Sequence, residues 1–283
     1  MIQSFIEILD VESKKREVIW QDTQIVEAPN WSKNGFLLIN SEGLLFKIYF
    51  ENSRKVLVDT GFAKNCNNDH GISPDGTQIV ISSHDPEDSN PLAWQTSKIY
   101  TLPINGGVPQ LITPNNACFW HGWSPDGATH IYTALRNGQW DIFAISNNGG
   151  VEKQLTNSQF QHDGSEYSPC GKYIYYNSYD SGYMEIWRMN SDGSNQIQLT
   201  NDKHSNWFPH ISPDNSKLVY ICYIDDQKEA HPFGKNVKLR IMDLKNQKID
   251  DITEVFFGGQ GTLNVNSWSP DSKKIAFVRY KNK

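Results

Sequence analysis

Seven of the eight histidines fall in two kinds of segment. His70, His121, His162, His204 and His210 stand on or just ahead of short runs that lead into a recurring turn, and His84 and His231 stand in the two longest polar loops. Imidazole titrates near neutral pH, ligates divalent metals when neutral, and acts as a general base. The segments before the turns also carry amides and acids (Asn67, Asn68, Asp69, Asp163, Glu166) and rings (Phe119, Trp120, Trp207, Phe208). Rings stack on a sugar or peptide, while amides and acids orient it. The candidate ligand-binding residues are therefore His70, His84, Trp94, Trp120, His121, His162, Asp163, Glu166, Trp207, His210 and His231.

A divalent ion is a second use for the same imidazoles, with His70, His121, His162 and His210 as its candidate ligands. His70 and His121 each stand three residues before the serine of a turn, His210 two before and His162 six before. Alternation along a strand sends the last two to other faces unless a bulge intervenes. Plain polar lining of a pocket is the other reading of all four. Trp31, Trp123 and Trp268 directly precede turn serines and are expected in the packing between repeats.

The turn that sets this register recurs six times, beginning at Ser32, Ser73, Ser124, Ser168, Ser212 and Ser269, with Ser-Pro-Asp-Gly at Ser73 and Ser124. Serine bonds the turning backbone, proline presets φ, and glycine accepts positive φ, which suits a hairpin. Lys33, Cys170 and Ser272 mark worn copies. After each turn come an alternating apolar run, a polar loop, a third run such as Asp141-Ile142-Phe143-Ala144-Ile145, a Gly/Asn turn, and a short strand ending in Leu-Thr or its kin. Four strands per unit of about 40–50 residues describe a propeller blade. The sixth copy runs out after Lys274–Tyr280, whereas the chain opens on two unclaimed strands, Phe5–Leu9 and Arg16–Trp20. These ends complete one another. The expected fold is all-β, a six-bladed propeller of four-stranded antiparallel blades closed by the N-terminal strands, with residues 1–283 as one domain.

The run from Trp123-Ser124-Pro125-Asp126-Gly127 through Asp141-Ile142-Phe143 to Gly149-Gly150 and Gln154-Leu155-Thr156 resembles the TolB-type propeller repeat. The resemblance extends over nearly the whole chain and implies the fold. TolB also has an N-terminal α/β domain and is exported. Neither feature has a counterpart in this sequence, so a role in the Tol envelope system is not implied. Similar propellers accompany hydrolase domains of the prolyl-oligopeptidase type, for which there is no room here. Others form oligogalacturonate lyase, whose active site resembles a metal-binding histidine cluster at the propeller mouth.

In a six-bladed ring, two long loops belong to opposed blades. They run from Ser83 to Trp94 and from Asp225 to Gly234, and they are expected to flank the channel on one face. Net charge is −6, from 26 basic and 32 acidic residues, without a basic run, so nucleic acid is not an expected partner. No apolar stretch is long enough to span a membrane, and no signal peptide is visible, which points to a cytoplasmic monomer. Cys66, Cys118, Cys170 and Cys222 fall at different places in the blade and are expected to be buried free thiols. Nucleophile-elbow, zincin and phosphate-loop motifs are absent. Two readings remain. One is a binding or interaction propeller holding a small molecule, oligosaccharide or peptide, with a protein partner also open. The other is a carbohydrate enzyme using one divalent metal ion, and the sequence does not decide whether chemistry occurs.

Overall fold

The computed structural model describes residues 2–84 and 92–282. Two strands, β1 (Ile2–Asp10) and β2 (Arg16–Asp22), precede the first full blade. Blade one is β3 (Glu27–Ser32), β4 (Phe36–Ser41), β5 (Leu44–Tyr49) and β6 (Lys55–Leu57). Blade two is β7 (Cys66–Ile72), β8 (Gln78–Ser83), β9 (Lys98–Pro103) and β10 (Gln110–Leu111). Blade three is β11 (Cys118–Trp123), β12 (Thr129–Arg136), β13 (Gln139–Ser146) and β14 (Lys153–Gln154). Blade four is β15 (His162–Tyr167), β16 (Tyr173–Ser178), β17 (Glu185–Asn190) and β18 (Ile197–Gln198). Blade five is β19 (Ser205–Ile211), β20 (Lys217–Tyr223), β21 (Phe233–Asp243) and β22 (Ile249–Asp251), with β23 (Phe256–Gly259) paired to the start of β21.

The sixth blade is assembled from both ends of the chain. β24 (Lys274–Asn282) lies antiparallel to β1 from Ile2 opposite Asn282 to Asp10 opposite Lys274, and β2 pairs on the far side of β1. On the channel side, Trp268 bridges to Ile275. Closing the ring in this way leaves no bare edge between the first and last segments.

Four of the six turns share one full hydrogen-bond pattern, and the Ser168 copy keeps its second half. The serine hydroxyl donates to the aspartate at 2.6 Å in Ser73–Asp75, 2.5 Å in Ser124–Asp126, and 2.6 Å in Ser212–Asp214 and Ser269–Asp271. The same oxygen accepts the amide five residues on, from Gln78, Thr129, Tyr173, Lys217 and Lys274. Ser272 adopts φ 61° in the place of glycine, and its hydroxyl accepts the Asp214 amide of the neighbouring turn at 3.1 Å. The Leu-Thr ending has an equally definite role. The hydroxyls of Thr113, Thr156, Thr200 and Thr253 accept the amides of Ile99, Ile142, Ile186 and Leu239, fastening each fourth strand to its third at 2.8–2.9 Å.

Apolar clusters lie between blades. One unites Val80 and Ile99 of blade two with Trp120, Trp123 and Tyr132 of blade three, and another unites Ile6, Ala276 and Val278 of blade six with Leu37 and Ile39 of blade one. Trp123 and Trp268 are buried in such clusters and Trp31 packs against one, as the sequence suggests. All four cysteines are free. Cys66, Cys118 and Cys222 are buried, but Cys170 is exposed because it occupies the aspartate position of a surface turn.

Candidate functional site

The innermost strands of blades one to five each carry a break in register. In blades one, four and five it takes the same form. Glu27, Asp163 and Trp207 are paired, Asn30, Glu166 and His210 are paired three residues later, and the two residues between oppose one. The first of these two has positive φ: Ala28 53°, Gly164 59° and Phe208 57°. Phe208 is held in this strained state by burial and by its amide, which donates to Asn177 Oδ1 at 2.9 Å. In blade three the extra residue is His121 itself, since Trp120 faces Tyr132 while Gly122 faces the adjacent Ile131. A bulge re-aims side chains, and the His121 ring lines the channel.

At the mouth carrying the long loops lies a cavity of about 440 Å³. Trp94, Phe119 and Trp140 make its aromatic part. Trp94 and Trp140 lie 5.9 Å apart with planes inclined by 29°, and Phe119 lies 5.7 Å from Trp140. A single 3-10 turn, Ala93–Thr96, brings Trp94 in. Trp140 comes from the β12–β13 hairpin, whose tip residues Asn137 and Gly138 both have positive φ, as a two-residue hairpin loop requires. The polar part comprises Asp69, His121, Asp163 and His231 with Asn67, Asn68, Gln161 and Gln260. Among the described residues, no lysine or arginine lines it.

Asp163 is the hub. Its Oδ1 accepts from Thr133 Oγ1 at 2.8 Å and from the Gly164 amide at 2.7 Å, and His121 Nε2 stands 2.8 Å from the same oxygen. His231 Nε2 is 3.7 Å from Oδ2. Burial would raise the Asp163 carboxyl, yet His121 and His231 hold it well below the ordinary carboxylate range. Burial works against a charged His121, but Asp163, with Asp69 and Glu166 farther off, raises its pKa. Burial pushes Asp69 up to about 6; the Asp163 charge adds to this and His121 opposes it. Behind the cavity, burial pushes Glu27 up to about 7 against the Asn68 amide, with the charge of Asp69 contributing. A polar belt links these groups. Asn68 Nδ2 donates to Glu27 Oε1 at 3.4 Å, Gln260 Nε2 donates to Asn68 Oδ1 at 3.1 Å, and His231 Nδ1 meets Gln260 Oε1.

Of the eleven candidate ligand-binding residues, Trp94, His121, Asp163 and His231 line this cavity. His84 borders a separate groove with Phe62 and Tyr100. Trp207 is buried with its ring edge-on to His231 at 4.4 Å. Trp120 packs inward, its Nε1 donating to His130 Nδ1 at 3.1 Å. Glu166 and His210 pair with each other below the cavity, where His210 Nε2 also meets the Leu263 carbonyl. His70 is fully buried with Nε2 on the Leu38 carbonyl, and burial lowers its pKa to about 4. His162 is fully buried between Asp141 and Asp180. The four candidate metal ligands thus have four separate sets of partners, although the bulges that the sequence reading required are present. Among the described residues, no three His, Cys, Asp or Glu side chains are grouped so as to hold a metal ion.

Trp140, Thr133, Gln161 and Gln260 line the cavity without having been singled out in the sequence. For Trp140, the Asn-Gly pair just before it was the available signal. Both long loops reach the cavity, one through Trp94 and the other through His231, while residues 85–91 of the first loop lie outside the described residues. At the opposite mouth, a cavity of about 490 Å³ is lined by the turn prolines and by Trp31, Trp123 and Trp268, so these rings are channel lining as well as packing. His121 borders both cavities.

Comparison with known proteins agrees with this architecture. Residues 93–263 match the model of the TolB beta propeller domain, which is more than half of the chain. The chain belongs to that family. A protein of Agrobacterium fabrum, described as uncharacterized, is 42% identical over 281 residues, covering 99% of this chain and 93% of its own length. The structure of a TolB-like protein from Agrobacterium tumefaciens superposes with TM-score 0.93 at 41% identity, covering all of both chains. TolB from Acinetobacter baumannii superposes with TM-score 0.71 at 16% identity, over 92% of this chain and 64% of that one, and shares the fold. Membership of this propeller family supports a binding role in general terms.

Proposed function

We propose that this chain is a binding propeller whose long-loop mouth holds a small polar ligand of the sugar class. One observation carries the reading: the Trp94–Phe119–Trp140 cluster and a set of fixed acids and amides share a single cavity. A pyranose has an apolar face for the rings and a rim of hydroxyls for Asp163, Asn67 and Gln161. The polar belt behind the cavity pre-orients its side chains, which reduces the cost of ordering them on binding.

The test is calorimetric titration with neutral mono- and oligosaccharides, followed in parallel by tryptophan fluorescence. At least one sugar is expected to bind and to shift the emission, and Trp140→Ala should weaken it by tenfold or more. No binding across the panel, or equal binding by the variant, would overturn the reading.

A further inference from the structure

We propose that the ligand of this cavity carries a protonated amine, as an amino sugar does, and that Asp69 and Asp163 receive it. This rests on the sugar reading above and narrows it to a cationic member of the class.

The argument starts from the balance of charge around the mouth. Two carboxylates line the cavity, a third, Glu27, stands behind Asn68, and no lysine or arginine lines it among the described residues. The two imidazoles do not offset these acids evenly. His121 is committed to Asp163 at 2.8 Å, and His231, the other imidazole near Asp163, is at 3.7 Å. Asp69 is only 6% exposed, and its one side-chain hydrogen bond among the described residues comes from a neutral amide, Asn67 Nδ2 at 2.8 Å. A carboxylate taken out of water without a counter-charge is unfavourable. Here the nearest imidazole charge, on His121, is shared with Asp163, and Asp69 stands at the wall of a cavity where a ligand can add a counter-charge of its own.

The aromatic residues point the same way. The faces of Trp94 and Trp140 are electron-rich and attract a cation placed against them. A neutral sugar would use the rings and amides but leave Asp69 with only the imidazole charge that it shares with Asp163. A uronate would set its own carboxylate against Asp69 and Asp163 at close range, where like charges repel strongly. Among sugars, the combination favours an ammonium group over a hydroxyl or a carboxylate.

The experiment is a set of calorimetric titrations of the full chain at pH 7 with glucosamine, glucose, N-acetylglucosamine and glucuronate. Glucosamine is expected to bind at least tenfold more tightly than glucose. Acetylation of its nitrogen should abolish that advantage, and glucuronate should be weakest. Asp69→Asn, which keeps size and shape, should bring the glucosamine and glucose affinities together. If that variant does not fold, the wild-type series decides alone. Equal affinity for glucosamine and glucose would overturn the amine inference and leave the sugar reading standing. Tighter binding of glucuronate would overturn the inference in the same way. No binding by any of the four sugars would overturn the amine inference, and the wider panel of mono- and oligosaccharides would then decide the sugar reading.

Discussion

Replacing Glu27 by glutamine should stabilise the fold at pH 8 and have almost no effect at pH 4. Glu27 lies on β3, partly buried, and among the described residues its side chain accepts a hydrogen bond only from the Asn68 amide, at 3.4 Å. Its carboxyl is pushed from 4.5 up to about 7, first by burial. At 1.36 kcal/mol per pH unit, the ionised form carries roughly 3 kcal/mol of unfavourable energy. Solvent reaching the partly exposed side chain cuts this to about 1–2 kcal/mol. The sign follows from linkage. Below about pH 4.5 the group is protonated in both folded and unfolded chains and costs nothing. Between 4.5 and 7 the unfolded chain releases its proton first, so stability declines as pH rises. Above 7 the whole cost is present. Glutamine stays neutral throughout and keeps the contact with Asn68. Urea unfolding followed by tryptophan fluorescence at pH 4 and pH 8 gives four midpoints, and the pH dependence of groups that do not interact with Glu27 cancels in the difference between variant and wild type. A gain of the same size at both pH values, or a loss at pH 8, would refute the assignment of a strained charge to Glu27.

Three further outcomes are expected. Thr156→Val removes a hydroxyl that accepts the Ile142 amide at 2.9 Å and donates to Asp141 at 2.7 Å, and it should cost about 2 kcal/mol in urea unfolding; an unchanged midpoint contradicts the role given to the Leu-Thr ending. The turn aspartates are held low, Asp75 to about 2 and Asp126, Asp214 and Asp271 in the same direction, chiefly by serine hydrogen bonds except at Asp214, where opposing burial is the largest effect. Their stabilisation is present above pH 3.8 and should fade as pH falls towards 2, so an asparagine at Asp126 should flatten the acid limb of a melting-temperature profile, and a profile that keeps its slope counts against this. Removing residues 1–22 strips β1 and β2 from β24 and should give aggregated chain on size-exclusion chromatography, whereas a soluble truncation with the parent melting temperature would show that closure is dispensable.

The blades were legible because their determinants are local. A serine, a proline and a glycine within four residues suffice for a turn, and the closing role of β1 followed from the missing outer strands after Tyr280. The site was harder to read for a reason that lies in the ladder. His70 and His121 share the same offset from their turns, yet His70 is paired with Ile81 and turned to the Leu38 carbonyl, whereas His121 is the unpaired residue of its bulge. Offset predicts facing only where register is continuous, and here every innermost strand from blade one to blade five breaks it. Gln260 was hidden for another reason. It reaches the cavity from the segment after β23, and nothing in its own neighbourhood marks it as belonging near Asn68, 192 residues away.

Closure by the first strand also has a consequence in time. β1 is made first, but its partner β24 ends at Asn282. At about 5–20 residues per second, the β1–β2 hairpin waits roughly 15–55 s for β24 to leave the ribosome. Throughout that interval its inner edge is open, and the nearest matching strand can belong to a neighbouring chain on the same message. Capture there would exchange β1 and β2 between two copies and seal both rings, giving an interlocked pair with every blade complete. The yield of single rings therefore depends on how crowded synthesis is, and dilution or slower initiation should favour them without any change in the sequence.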